Sequence, residues 1–168
     1  MAFSSQVPLP GDRRLKVRHL SIQFCNIRGI HSNLPDIHQQ LQSKSPDCLF
    51  LSETQIKEPL DSTHLTFPGY ILFTNFQRKG GICACIRTEL SPSVLSIYAI
   101  TTPRFQSSWM RITHAGSTKH ICCLYRSPND TDYINHFHEI GLQIDDILVK
   151  SPSTEIVILG DFNVHHSH

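Results

Sequence analysis

The chain has 168 residues, 39% of them apolar and only 17% charged. That is long enough for one domain with its own core and too apolar for disorder along most of its length. Fifteen basic against fourteen acidic side chains leave a net charge of +1, so overall charge gives no pull on nucleic acid or anionic membrane, and either partner needs a local patch.

The first residues, MAFSSQVPLPGDRRLK, carry two prolines, a glycine and a charged run and lack the apolar stretch of a secretory signal. They read as a flexible lead-in, 1–17, ahead of a domain over 18–168. With no apolar run long enough to span a bilayer, they point to an intracellular protein, in cytoplasm or nucleus, with no membrane partner. His19–Cys25 alternates apolar and polar residues and predicts a strand. Asn33-Leu-Pro-Asp predicts a helix start with Asn33 as N-cap, and Leu34, Ile37 and Leu41 repeat at helical spacing up to Pro46. Cys48–Ser52 is a short apolar strand, so this strand–helix–strand order predicts a parallel crossover. Strands over 70–74, 81–87, 94–99, 109–113 and 120–125 follow with short links and no helical pattern between them, which predicts antiparallel pairing. A helix over 131–150 carries Tyr133, Phe137, Ile140, Ile144 and Leu148 as its apolar stripe, and Glu155–Gly160 forms the last strand. The whole predicts mixed sheets covered by helices.

Six cysteines, Cys25, Cys48, Cys83, Cys85, Cys122 and Cys123, lie in or beside apolar runs without C-x-x-C spacing. They read as buried free thiols of a reducing compartment, with Cys122 and Cys123 on opposite faces of one strand. Three of the eleven histidines, His165, His166 and His168, close the chain and read as an exposed tail rather than a metal site.

Four of the predicted strands run into polar groups. The first leads to Asn26 and Arg28, the second to Glu53, the strand over 120–125 to Tyr125-Arg126-Ser127-Pro128-Asn129, and the last to Asp161 and Asn163. Strand ends on one side of a layered α/β fold share a crevice where ligands bind. Glu, Asp and Asn are hard oxygen donors suited to Mg²⁺ or Mn²⁺, and Tyr, Asn and Arg are hydrogen-bond donors suited to an anion. Together they describe a phosphate-ester site in which a cation and neutral donors hold developing charge. Each residue alone also has a plainer reading: turn formers for Asn26 and Asn163, a cap for Glu53, a core aromatic for Tyr125, a surface cation for Arg126.

Five blocks in this order, Cys25-Asn-Ile-Arg-Gly, Leu51-Ser-Glu-Thr, Lys79-Gly-Gly-Ile, Tyr125-Arg-Ser-Pro-Asn and Ile158-Leu-Gly-Asp-Phe-Asn, resemble the endonuclease/exonuclease/phosphatase superfamily. Their wording, with Trp109-Met-Arg-Ile and Gly160-Asp-Phe-Asn-Val-His-His, is most similar to the endonuclease domain of LINE-type (non-LTR) retrotransposon reverse transcriptase proteins. The resemblance implies a layered α/β sandwich of the deoxyribonuclease I type. It also implies hydrolysis of a DNA phosphodiester with Mg²⁺ or Mn²⁺, leaving a 3′ hydroxyl. Glu53 would ligate the metal with Asn26 beside it, Tyr125 would donate to the scissile phosphate, Asp161 would orient or deprotonate water, and Asn163 would stabilise the transition state. Arg28, Arg126 and Asn129 would contact phosphate or DNA.

The family pattern continues to a Ser-Asp-His block that is not found in this sequence, whereas the chain stops eight residues after Gly160. The expectation is a fold incomplete at its C-terminus, weak or inactive as an isolated chain, with an exposed sheet edge that can pair with another chain. Two alternatives stay open: a remnant that binds nucleic acid or protein without turnover, for which Arg13, Arg14, Lys16, Arg18 and Arg28 form a local basic cluster, and an inositol phosphate or lipid phosphatase of the same superfamily.

Overall fold

The computed structural model describes residues 19–56 and 64–164. The lead-in, the basic residues Arg13, Arg14, Lys16 and Arg18, and the terminal histidines lie outside the described residues.

Two four-stranded mixed sheets stack face to face. In chain order the elements are β1 (Ile22–Asn26), α1 (Leu34–Lys44), β2 (Cys48–Ser52), β3 (Tyr70–Asn75), β4 (Ile82–Arg87), β5 (Val94–Thr101), β6 (Phe105–His114), β7 (Ser117–Arg126), α2 (Tyr133–Lys150) and β8 (Glu155–Asp161). One sheet has the order β1-β2-β4-β3 and the other β5-β6-β7-β8. The pairs β1–β2 and β7–β8 are parallel; every other pair is antiparallel. Each parallel pair is joined through a helix, as a parallel crossover requires. The antiparallel strands need only short links, such as the Ala115-Gly116 turn between β6 and β7.

Strand alternation distributes the core into three layers. Between the sheets, Phe50 of β2 and Ile82, Ala84 and Ile86 of β4 meet Met110, Ile112, Ile121 and Cys123. Leu49, Leu51, Cys83 and Cys85 point the other way and are covered by Ile37 and Leu41 of α1. Trp109, Cys122 and Leu124 are covered by Ile140 and Ile147 of α2. Cys122 and Cys123 thus lie in different layers, as alternation requires, and all six cysteines are free thiols. Burial pushes the Cys48, Cys85 and Cys122 thiols up to about 12, so they stay protonated at neutral pH.

Several local expectations are corrected. The first strand starts at Ile22, not His19. Asn33 makes no side-chain cap on α1; its amide donates instead to the carbonyls of Ile27 and Gly29, at 2.7 and 2.8 Å. The stripe on α2 runs through Phe137, Ile140, Ile144 and Ile147, while Tyr133 and Leu148 at its ends are 42% and 39% exposed. Spacings of three and four fit either Ile147 or Leu148, and the position of the sheet chooses between them.

Among the described residues, β8 is paired only with β7 and β1 only with β2, and these two edge strands lie against each other on one flank of the sandwich. No helix among the described residues is long and apolar enough to cross a membrane.

The buried Trp109 indole N–H donates to Gln143 Oε1 at 2.8 Å, tying β6 to α2. Gln143→Leu leaves that donor unpaired and is expected to destabilise the fold by about 1–3 kcal/mol in urea unfolding followed by Trp109 fluorescence.

Candidate active site

The carboxyl ends of the two parallel pairs, one in each sheet, open on the same crevice. Asn26 ends β1, Glu53 follows β2, and Asp161 ends β8 directly opposite Tyr125 of β7. The Asn26 amide nitrogen donates to Glu53 Oε1 at 3.0 Å and to Asp161 Oδ2 at 2.6 Å. One NH₂ group therefore bridges two carboxylates that come from different sheets. Its other end is held by the Arg28 backbone N–H, which donates to Asn26 Oδ1 at 3.3 Å.

The backbone around this bridge is bent unusually. Among the described residues six non-glycine residues have positive φ, and four of them, Arg28 (+48°), Glu53 (+56°), Gln55 (+52°) and Asn163 (+43°), belong to the crevice segments. Such conformations cost non-glycine residues energy and persist where surrounding contacts over-determine them. Glu53 and its neighbours are clamped from both sides. Gly29 and Ile30 N–H groups donate to the carbonyls of Glu53 and Thr54, at 2.7 and 2.9 Å. Thr54 and Gln55 N–H groups donate to the carbonyls of Gly81 and Gly80, at 3.1 and 2.9 Å.

Gly80 and Gly81 have to be glycines. Both have positive φ, and a Cβ on Gly80 would stand 2.6 Å from the Tyr125 ring. The Gly81 N–H donates to Oε1 of Gln106 at 2.5 Å, and Gln106 Nε2 reaches the Asn75 carbonyl at 3.3 Å. Gln106 is 1% exposed and sits beside Tyr125 in the β6–β7 register. It is a buried polar support for the floor of the crevice. Alternation along FQSSW does not single it out, since a Gln in a strand reads as solvent-facing.

Tyr125 packs its ring against the inter-sheet core. Burial raises its phenol above the ordinary value, the Glu53 and Asp161 carboxylates raise it further, and the Ser127 hydroxyl opposes them weakly. The group therefore remains a protonated donor beside two anions at neutral pH. Asp161 follows Gly160, whose φ is +149° and whose missing Cβ lets the strand pass the Leu124 carbonyl. Asn163 N–H donates to Asp161 Oδ1 at 3.3 Å, and its side-chain amide donates to the Arg126 carbonyl at 2.7 Å.

The guanidinium of Arg126 lies beneath this turn. It donates to the Asn163 and Phe162 carbonyls at 2.8 and 3.3 Å and to the Asp130 carbonyl at 3.3 Å, and it stacks 4.5 Å from the centre of the Tyr133 ring. Asp130 is in turn 3.0 Å from His136 Nδ1. Asn129 is exposed and lines the same concavity as Tyr125, where its carbonyl accepts from Arg104 at 2.9 Å. Arg28 is exposed.

Among the described residues no cluster of three or more His, Cys, Asp or Glu is placed to hold a metal. The metal-type ligands that converge are the two carboxylates, hard oxygen donors that fit Mg²⁺ or Mn²⁺ and not zinc, and the oxygen of the Asn26 amide is the third oxygen donor of that kind beside them. The Asn26 NH₂ group between the carboxylates shows that the geometry favours positive charge there.

A model of the endonuclease/exonuclease/phosphatase family matches residues 24–168. The chain belongs to this family. The matched span contains all eight candidate residues, from Asn26 to Asn163. Solved structures with the same fold include a humanised zebrafish (D. rerio) TDP2 carrying 14 mutations, 17% identical over 88% of this chain and 64% of that one, with a TM-score of 0.61. A D. rerio TDP2 complexed with single-strand DNA product is 15% identical over 88% of this chain and 62% of that one, TM-score 0.58. A 3′ phosphatase from Neisseria bound to a product DNA hairpin is 16% identical over 87% and 58%, TM-score 0.55. The chain therefore spans less than two thirds of each of these structures. Among curated proteins none matches the sequence.

Two substitutions test the geometry. Gln55→Gly relieves a left-handed residue and is expected to raise stability by about 0.5–1 kcal/mol in urea unfolding. Asn26→Asp replaces the bridging donor by a third carboxylate. It is expected to lower the melting temperature in EDTA, with much of the loss recovered in millimolar Mg²⁺.

Proposed function

We propose that the chain carries metal-holding and water-activating residues of a site that hydrolyses DNA phosphodiesters, of the type used by LINE retrotransposon endonucleases to nick target DNA. The observation that supports it most is the convergence of Glu53 and Asp161, from different sheets, on one Asn26 amide beside the protonated Tyr125 hydroxyl. The retrotransposon branch rests on the wording of Leu51-Ser-Glu-Thr, Tyr125-Arg-Ser-Pro-Asn and Gly160-Asp-Phe-Asn.

Glu53 and Asn26 would hold Mg²⁺ or Mn²⁺, which when bound supplies positive charge to a phosphoryl oxygen. Asp161 orients water and takes its proton as the water oxygen attacks phosphorus. Tyr125 donates to a non-bridging oxygen as charge builds there. The second hydrogen of the Asn163 amide, whose first is fixed on the Arg126 carbonyl, serves the same transition state. The bond to the 3′ oxygen breaks, that oxygen takes a proton from solvent, and a 3′ hydroxyl and a 5′ phosphate result. Arg28 and Asn129 would contact phosphate or DNA, and Arg126 acts through the Asp161–Asn163 turn that it holds.

A second reading, a module that binds nucleic acid or another chain without turnover, is favoured by one specific feature: among the described residues the edge strands β1 and β8 are each paired on one side only. The half-covered flank formed by β1 and β8 is where further strands or a second chain would pair. Ile158, 38% exposed on β8, marks it, and Ile158→Lys is expected to suppress concentration-dependent self-association in sedimentation.

Nicking of supercoiled plasmid by the purified chain, in Mg²⁺ and in EDTA, tests the catalytic reading. Nicking is expected in Mg²⁺ alone, abolished by Glu53→Ala and by Asp161→Ala and reduced about 10²-fold by Tyr125→Phe. Nicking that survives EDTA or both alanine variants would remove the assignment. DNA binding with no nicking would favour the binding module, and turnover of a phosphoinositide headgroup with none on DNA would favour the phosphatase alternative.

A further inference from the structure

Tyr125 is the inner end of a groove that leads away from the two carboxylates. A concavity of about 350 Å³ is walled by Lys79, Pro103, Arg104, Tyr125, Ser127 and Asn129. It adjoins a second, of about 640 Å³, which shares Lys79 and Pro103 and adds Arg78 and Thr101. The first lies at the lower end of the size range of small-ligand sites. Neither is lined by an acidic residue, and among the described residues no carboxylate lies within ion-pair distance of Arg78, Lys79 or Arg104. All three cations are exposed.

The walls are tied down. The Ser127 N–H donates to the Arg104 carbonyl at 2.7 Å, and the Arg104 guanidinium donates to the Asn129 carbonyl at 2.9 Å. Lys79 precedes Gly80, which is packed against the Tyr125 ring and bonded to Gln55. The charges of Lys79 and Arg104 are thus carried by segments anchored to the crevice floor. The crevice itself presents two carboxylates, which repel a polyanion, so attraction for a long anionic chain has to come from outside it.

We propose that these two adjoining grooves form a strand path in which Lys79 and Arg104, and then Arg78, take successive phosphates of a nucleic-acid strand whose scissile phosphate lies at Tyr125. The proposal rests on the DNA-hydrolysing reading of that site. It makes the substrate a polynucleotide rather than a mononucleotide or a small phosphate ester. Among the described residues Tyr125 is the only aromatic side chain on either groove, so the path grips the backbone and does not stack bases. Binding along it is sequence-tolerant and steeply salt-dependent.

The test is fluorescence anisotropy of a fluorescein-labelled mixed-sequence single-stranded 12-mer with the full chain in EDTA, from about 50 to 300 mM KCl. The triple variant Arg78→Ser, Lys79→Ser, Arg104→Ser is expected to bind at least about tenfold more weakly at the lowest salt. The slope of log K against log[salt] should fall in magnitude by about 2, the value for three phosphate contacts on a single strand. The charge-preserving pair Lys79→Arg, Arg104→Lys should keep the wild-type slope. A triple variant with wild-type affinity and slope, a loss confined to one base composition, or a wild-type chain that fails to bind the 12-mer would each overturn the strand path. Plasmid nicking is scored separately. A wild-type chain that shows the slope but never nicks leaves the path standing and counts against the hydrolytic reading. One that nicks normally with all three cations removed keeps that reading and removes the path.

Discussion

A single side-chain amide holds together what the two sheets bring to the crevice. Asn26 ends a strand of one sheet and donates both to Glu53 of that sheet and to Asp161 of the other. Two carboxylates that share one donor repel each other, the more so the nearer they lie and the less water screens them. A neutral donor between them, with charge-assisted hydrogen bonds to both, offsets part of that repulsion. The arrangement is poised for a cation, because the carboxylates are fixed by backbone and not by each other. The Gly81–Gln106–Asn75 hydrogen bonds tie the two sheets beside this contact.

The backbone does the fixing. Left-handed residues at Arg28, Glu53, Gln55 and Asn163 are individually unfavourable, yet each sits in a segment whose N–H and C=O groups are taken up by its neighbours. The Gly80–Gly81 pair is needed for this clamp, since a side chain there would displace either Tyr125 or Thr54. Strain gathered at a crevice and balanced by hydrogen bonds around it is what a preorganised site requires. Two buried polar side chains carry the support outward. Gln106 links the Gly81 N–H to the end of β3, and Arg126 links the Asp161–Asn163 turn to Asp130 and Tyr133. Buried polar groups of this kind are retained because each is hydrogen-bonded.

Much of the fold is legible in local pattern. Cys122 and Cys123 fall in different core layers because side chains alternate along a strand, and the short links after residue 70 leave antiparallel pairing as the available geometry. The convergence of Asn26, Glu53, Tyr125 and Asp161 follows from both parallel pairs presenting their carboxyl ends to one side. Asn33 shows the limit. Its sequence context is that of an N-cap, but the Ile27 and Gly29 carbonyls of the loop before it needed a donor more than the helix end did. Arg126 shows it again, since a cation next to Tyr125 reads as surface until β8 and α2 are folded over it.

By itself, the sequence determined the order of strands and helices, the three-layer distribution of apolar side chains and which polar residues stand at strand ends. These follow from residue periods of 2 and 3.6 and from turn chemistry, all of which are local. Tertiary structure alone decided that the Asn26 amide bridges the two carboxylates, that Gln106 and Arg126 support the crevice from beneath, and that Lys79 and Arg104 border the same groove as Tyr125. The hydrogen bonds behind those relations join residues 25 to 135 positions apart. No local period encodes such contacts; they arise when two sheets pack face to face and bring distant strand ends within hydrogen-bond reach.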